Sequence, residues 1–106
     1  MQFRGGMSEL MRQAARMQRK IEETKAKHQD QEVMATAAGD KVKAVVTYAG
    51  KVSRLEIDPD FLKDEGIDMA LDGVCAAVNT ALEQAHKAME AELEKVTGGV
   101  KIPGVM

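Results

Sequence analysis

At 106 residues, 44% of them hydrophobic and 30% charged, the chain is sized for one modest domain, and its three aromatics leave Met and small aliphatics to fill the core. The net charge of -2 argues against a polyanion partner for the chain as a whole, and the lone Cys75 excludes an intramolecular disulfide framework. No run approaches the roughly 18 apolar residues of a membrane span, and no signal-like start is present, so the sequence reads as soluble, unprocessed and intracellular.

The net charge conceals an asymmetry. Residues 1–28 carry seven Arg or Lys against three Glu, whereas residues 58–95 carry ten Asp or Glu against three Lys. Salt screens exposed charges beyond roughly 8–10 Å, so a basic patch acts locally whatever the total. Any polyanion surface therefore belongs near the N-terminus.

Residues 1–6 read as a flexible lead-in because the Gly5-Gly6 pair costs backbone entropy in an ordered element, and Ser8 or Gly6 marks the start of the first helix. Met7, Leu10, Ala14, Met17, Ile21, Thr24 and His28 then recur at 3,4 spacing, which puts a seam on one side of a helix. With Met7 at heptad position a, Arg12 and Arg19 fall at f, Arg16 at c and Lys20 at g, on the outside and flank. The pattern predicts an arm of roughly 20 residues, about 30 Å long, with a cationic outer edge.

After Gln29-Asp30-Gln31 the period changes to 2. Val33, Ala35 and Ala37 alternate with Met34 and Thr36 up to Gly39-Asp40; Val42, Ala44, Val46 and Tyr48 alternate with Lys43, Val45 and Thr47 up to Ala49-Gly50; a third run spans Val52 to Ile57. Three short strands with tight turns predict an antiparallel meander. Asp58 caps a short helical turn over Pro59-Asp60-Phe61-Leu62, with Pro59 suited to the first helical position.

Gly66 breaks the chain, and Asp68 caps a second long helix with the seam Leu71, Val74, Val78, Leu82, Ala85, Met89, Leu93 and Val96. Gly98-Gly99 ends it, leaving a flexible tail at 98–106. The expected fold is α+β: one domain over 1–106, an α-β-β-β-α subunit with a small antiparallel sheet and two long helices. Each long helix outruns a three-stranded sheet that has open edges, and a twofold homodimer answers both problems.

Catalysis finds no foothold. His28 and His86 lie in different helices without metal-pair spacing and read as solvated or packing residues, and Cys75 beside Val74 reads as buried core. The cluster Glu56, Asp58, Asp60, Asp64, Glu65 and Asp68 lacks calcium-loop spacing, and the glycine pairs lack the context of a phosphate-cradling loop. No enzyme activity, cofactor or metal site is expected.

The arginine row has two readings. Guanidinium forks suit phosphate oxygens, and such contacts position a protein on duplex DNA without reading bases. Alternatively the row is a solvated face, with Glu22 and Glu23 neutralising Arg19. Scarce aromatics favour double-stranded over single-stranded DNA, and without a helix-turn-helix arrangement sequence preference should be weak. The rival class is a protein-binding adaptor or small chaperone whose Met7, Met11, Met17 and Met89 give an adaptable apolar surface.

Four segments occur in a recognisable order: Gly5-Gly6-Met7 opening into Leu10-Met11-Arg12-Gln13-Ala14 and Met17-Gln18; Leu55-Glu56-Ile57-Asp58-Pro59; Ala76-Ala77-Val78-Asn79; and Thr97-Gly98-Gly99-Val100-Lys101-Ile102-Pro103-Gly104. In these the chain resembles the YbaB/EbfC family of bacterial nucleoid-associated DNA-binding proteins over nearly its whole length. The resemblance implies a homodimer with tweezer-like helical arms, located in the cytoplasm on the nucleoid. It further implies duplex DNA as partner, a role in nucleoid organisation and gene regulation, a link to recombinational repair proteins, and no catalysis. It places DNA contacts on charged arm residues, here Arg12, Arg16, Arg19 and Lys20, with Arg4 added from the lead-in. The second long helix departs from that pattern, with Glu83, Glu90, Glu92 and Glu94 against Lys87 and Lys95, which counts against its meeting DNA.

Overall fold

The computed structural model describes residues 2–98, with side chains from Gly6 onward. Six elements follow in order: α1 (Gln2–His28), β1 (Glu32–Ala37), β2 (Val42–Thr47), β3 (Val52–Ile57), α2 (Pro59–Glu65) and α3 (Ile67–Thr97). This is the expected α+β order, with the short helical turn after the sheet grown to two turns. The tail expected at 98–106 lies, from residue 99 on, outside the described residues.

The sheet is a meander in the order β1-β2-β3, antiparallel throughout. Ala35 pairs with Ala44 and Ala44 with Leu55, so alternation puts Ala35, Val42, Ala44 and Val46 on one face. The register shifts between Val45 and Val46, which pair with Arg54 and Val52 and leave Ser53 as the extra residue of a bulge. Gly50 at φ +90° closes the β2–β3 turn, a conformation that glycine takes without a Cβ clash.

Against that face lies α3, through small residues. Gly73, Ala77, Ala81 and Ala85 follow one another at four-residue steps and are buried, forming with Ala35, Val42, Ala44 and Val46 a core that contains no large side chain. At Gly73 the approach is so close that a Cβ would meet Val42 Cγ2 at 2.9 Å. The first half of the expected seam is therefore rotated, with Val74, Val78 and Leu82 flanking the stripe half-buried and Leu71 exposed, while its second half holds, with Ala85 and Leu93 buried. Cys75, expected in the core, is exposed, because one residue beyond Val74 the helix has turned a further 100° from the sheet.

Two helix starts also differ from expectation. Gly66, at φ +88°, is the N-cap of α3 and makes no side-chain cap bond, so Asp68 is a first-turn acid that favours the helix dipole rather than the cap. Asp58 does cap α2, accepting from the N–H groups of Asp60 at 2.8 Å and Phe61 at 3.1 Å. Helix α1 runs through Gly5-Gly6 to Gln2, where the lead-in was expected. Glycine costs a helix roughly 1 kcal/mol per residue, a penalty that a 27-residue helix can absorb at one end.

Helix α3 crosses β1 and β2 and barely reaches β3. On the same sheet face, Val52 and Leu55 of β3 consequently remain 43% and 46% exposed. Gly73→Val should overpack the contact with Val42, which has no exposed side to retreat to. The expected loss is about 1–3 kcal/mol, or roughly 4–8 °C in Tm per kcal/mol for a chain of this size, read by thermal unfolding. An unchanged Tm would mean that α3 does not lie this close to β2.

Candidate nucleic-acid interface

Helix α1 docks on the far end of α3, beyond the sheet. His28 lies against Glu92 and Met17 shares a shallow recess with Val96, so the two helices run antiparallel. Ile21 is buried at 4% exposure and Leu93 at 5%, and Met17, Thr24 and His28 are half-buried. This confirms the proximal half of the predicted seam. The distal half has no partner among the described residues: Met7 and Leu10 are 58% and 63% exposed, as is Met11 beside them at 68%, because α3 ends at Thr97 opposite the middle of α1.

An elbow fixes the angle of the arm. The His28 ring stacks on Tyr48 with centroids 6.5 Å apart and planes 20° apart. Its Nε2 lies 3.4 Å from Glu92 Oε1, and its Nδ1 meets the Gln31 side-chain oxygen. Glu92 also accepts from Lys95 Nζ at 3.2 Å, and the Tyr48 N–H donates to the Gln31 carbonyl at 2.8 Å. His28 is thus a packing residue at the junction of α1, β2 and α3.

Opposite the seam, Arg12, Arg16, Arg19 and Lys20 are all exposed. At 100° per residue they fall within about 100° of arc, centred roughly opposite Ile21. Lys27, seven residues beyond Lys20, extends the same stripe and was not singled out from the sequence. The signal was there, since a seven-residue step returns to one helix face. The side chain of Arg4 lies outside those described.

Of these cations, two are paired. Arg12 Nη1 and Arg16 Nη2 lie 3.9 and 3.8 Å from the two oxygens of Glu9. Glu22 and Glu23, read as neutralising Arg19, make no ion pair among the described residues. Of the sheet cations Lys41, Lys43, Lys51 and Arg54, two are locally matched: Lys41 reaches Asp58 at 3.9 Å and Arg54 donates to Glu56 at 3.0 Å. Among the described residues no group of three His, Cys, Asp or Glu is placed to hold a metal ion. None of the described helices is long and apolar enough to cross a membrane.

A small α+β subunit with a projecting cationic helix is the shape these observations define, and comparison with known proteins supplies its class. Residues 3–100 match the YbaB/EbfC DNA-binding family, and the chain belongs to that family. This is a nucleoid-associated DNA-binding family and not a known enzyme family.

Among the relatives is a nucleoid-associated protein of Alkaliphilus metalliredigens, 36% identical over 99 residues that cover 93% of this chain and 87% of the relative. Another, from Thermoanaerobacter pseudethanolicus, is 36% identical over 105 residues, covering 97% and 95%. The crystal structure of an uncharacterized protein from Helicobacter pylori superposes with a TM-score of 0.61 over 74% of this chain and 90% of that one. At 17% identity, that likeness concerns the fold alone.

Because the arm is held to α3 mainly through one buried branched side chain, Ile21→Asp should place an unpaired charge in that contact. A cost of several kcal/mol is expected, seen as a lower Tm and reduced helical circular dichroism. A variant with the parental melting curve would show that α1 does not pack on α3 through this face.

Proposed function

We propose that this protein is a non-enzymatic, homodimeric architectural protein of the bacterial nucleoid, gripping duplex DNA through phosphate contacts from its α1 arms, with effects on nucleoid organisation and gene expression. The observation that carries the reading is the exposed stripe of Arg12, Arg16, Arg19 and Lys20 on a helix that extends past the rest of the fold. Guanidinium groups on such a stripe offer forks to phosphate oxygens and nothing positioned to read base edges. Family membership and relatives named as nucleoid-associated support duplex DNA as the partner. The acidic outer side of α3, where Lys87 is matched by Glu83 at 3.3 Å, is left out of the interface.

The dimer rests on apolar surface that one chain leaves open. Val52 and Leu55 on the inner face of edge strand β3, and Leu71 beside the half-buried Val74, Val78 and Leu82 of α3, supply exposed apolar surface of the kind a second copy covers. Two arms then project from one body as tweezers. Sedimentation should give about twice the 11.5 kDa chain mass at micromolar concentration, and a stable monomer would remove the pairing of arms.

If both arms engage Arg12, Arg16 and Arg19, a dimer neutralises about six phosphates, for a slope of log affinity against log salt near -5. Affinity for unrelated duplexes should then fall by on the order of a thousandfold between 50 and 200 mM salt. The triple Arg→Gln variant should flatten that slope while keeping the folded dimer, since these side chains point away from the seam. Unchanged binding in that variant would move the contact to the sheet cations Lys41, Lys43, Lys51 and Arg54. No binding by the parent at low salt would favour the adaptor reading, with the exposed Met7, Leu10 and Met11 as its grip.

A further inference from the structure

The carboxylate of Glu9 sits at the N-terminal end of the cationic stripe, on the same helix face. It lies three residues before Arg12 and seven before Arg16, and among the described residues it is the one acid whose oxygens reach both guanidinium groups, at 3.9 and 3.8 Å. Gln13 Nε2 also donates to it, at 3.5 Å. Glu23 lies on the same face by helical spacing and touches no arginine among the described residues. One acid on this arm is thus engaged with the arginines and an equal charge nearby is not.

We infer that Glu9 is an internal phosphate stand-in that sets how tightly the arm holds DNA. A carboxylate and a phosphate offer a guanidinium the same pair of acceptor oxygens, so the two compete for Arg12 and Arg16. Binding through these residues exchanges the Glu9 contacts for phosphate contacts and leaves a carboxylate close to the polyanion. Arg19 and Lys20, with no ion pair among the described residues, meet phosphate without that exchange. The inference rests on the DNA-binding reading, and it adds that the arm has an open proximal half and a restrained distal half.

The restraint is built to be weak. All three side chains are more than half exposed, and exposed pairs of this kind each change an equilibrium by a few-fold at most. Two arms per dimer compound that effect. Glu9 therefore lowers affinity without abolishing it, the property expected of a protein that must leave any given stretch of duplex.

The test is a set of duplex titrations at 50 and 300 mM salt with the parent dimer, E9Q, E23Q, R12Q/R16Q and E9Q/R12Q/R16Q, with circular dichroism melting as a fold control. E9Q should bind about three- to tenfold more tightly than the parent at 50 mM, and the gain should shrink at 300 mM as the ion pairs are screened. E23Q should gain clearly less, and adding E9Q to R12Q/R16Q should gain no more than E23Q does, because the partners of Glu9 are then gone. Equal gains from E9Q and E23Q, or an undiminished E9Q gain without the two arginines, would overturn the inference while leaving DNA binding by the arm intact. Absence of duplex binding by the parent would overturn both.

Discussion

Everything that positions the arm depends on how closely α3 approaches β2. The Gly73, Ala77, Ala81, Ala85 stripe lets the helix lie on Val42, Ala44 and Val46 with almost no side chain between them. Dispersion and burial then act over many short contacts rather than a few long ones, which suits a chain with three aromatic residues. A helix seated this way can run straight off the end of a small sheet, and α3 does so for its last three turns. That overhang is the platform on which α1 is mounted.

From the platform the charge separation follows. The molecule is 76 Å long and less than 20 Å wide, with the acidic residues of α2 and early α3 near the sheet and the arm arginines alongside and beyond the last turn of α3. At physiological salt those regions are several Debye lengths apart, so the acids of α2 and early α3 do not quench the arm, whereas Glu90 and Glu92 of late α3 lie beside its base. Helix packing supplies geometry, and distance supplies electrostatic independence. The His28 elbow joins the two, because the residue that ends α1 also contacts Tyr48 and Glu92.

Much of this could be read from residues alone. The alternation from Val33 to Ile57 with glycine turns gave the correct meander, Asp58 the cap of α2, and the Met7–His28 spacing an amphipathic arm with Ile21 inside. The periodicity placed Ala85 and Leu93 of α3 inside but missed its face over the sheet, because hydrophobic periodicity marks the largest apolar residues. Here the tightest face is lined by the smallest, and the larger Val74, Val78 and Leu82 ring it. Exposure of Cys75 follows from the same rotation. In the arm, residue type named the arginines, but spacing assigned Glu22 and Glu23 to Arg19, which makes no ion pair among the described residues, while Arg12 and Arg16 pair with Glu9. Rotamer choice on an exposed helix decides that, and local sequence carries little of it.

The claim on which the account turns is that arm guanidinium groups meet phosphate. The chain has five arginines, Arg4, Arg12, Arg16, Arg19 and Arg54, few enough for their Nε–H resonances to be followed one by one by nuclear magnetic resonance as duplex DNA is added. Arg54, already donating to Glu56 on the sheet, is the internal reference. The account predicts that Arg12, Arg16 and Arg19 shift and gain protection from exchange while Arg54 stays in place. Movement of Arg54 with the three arm resonances unchanged would contradict it.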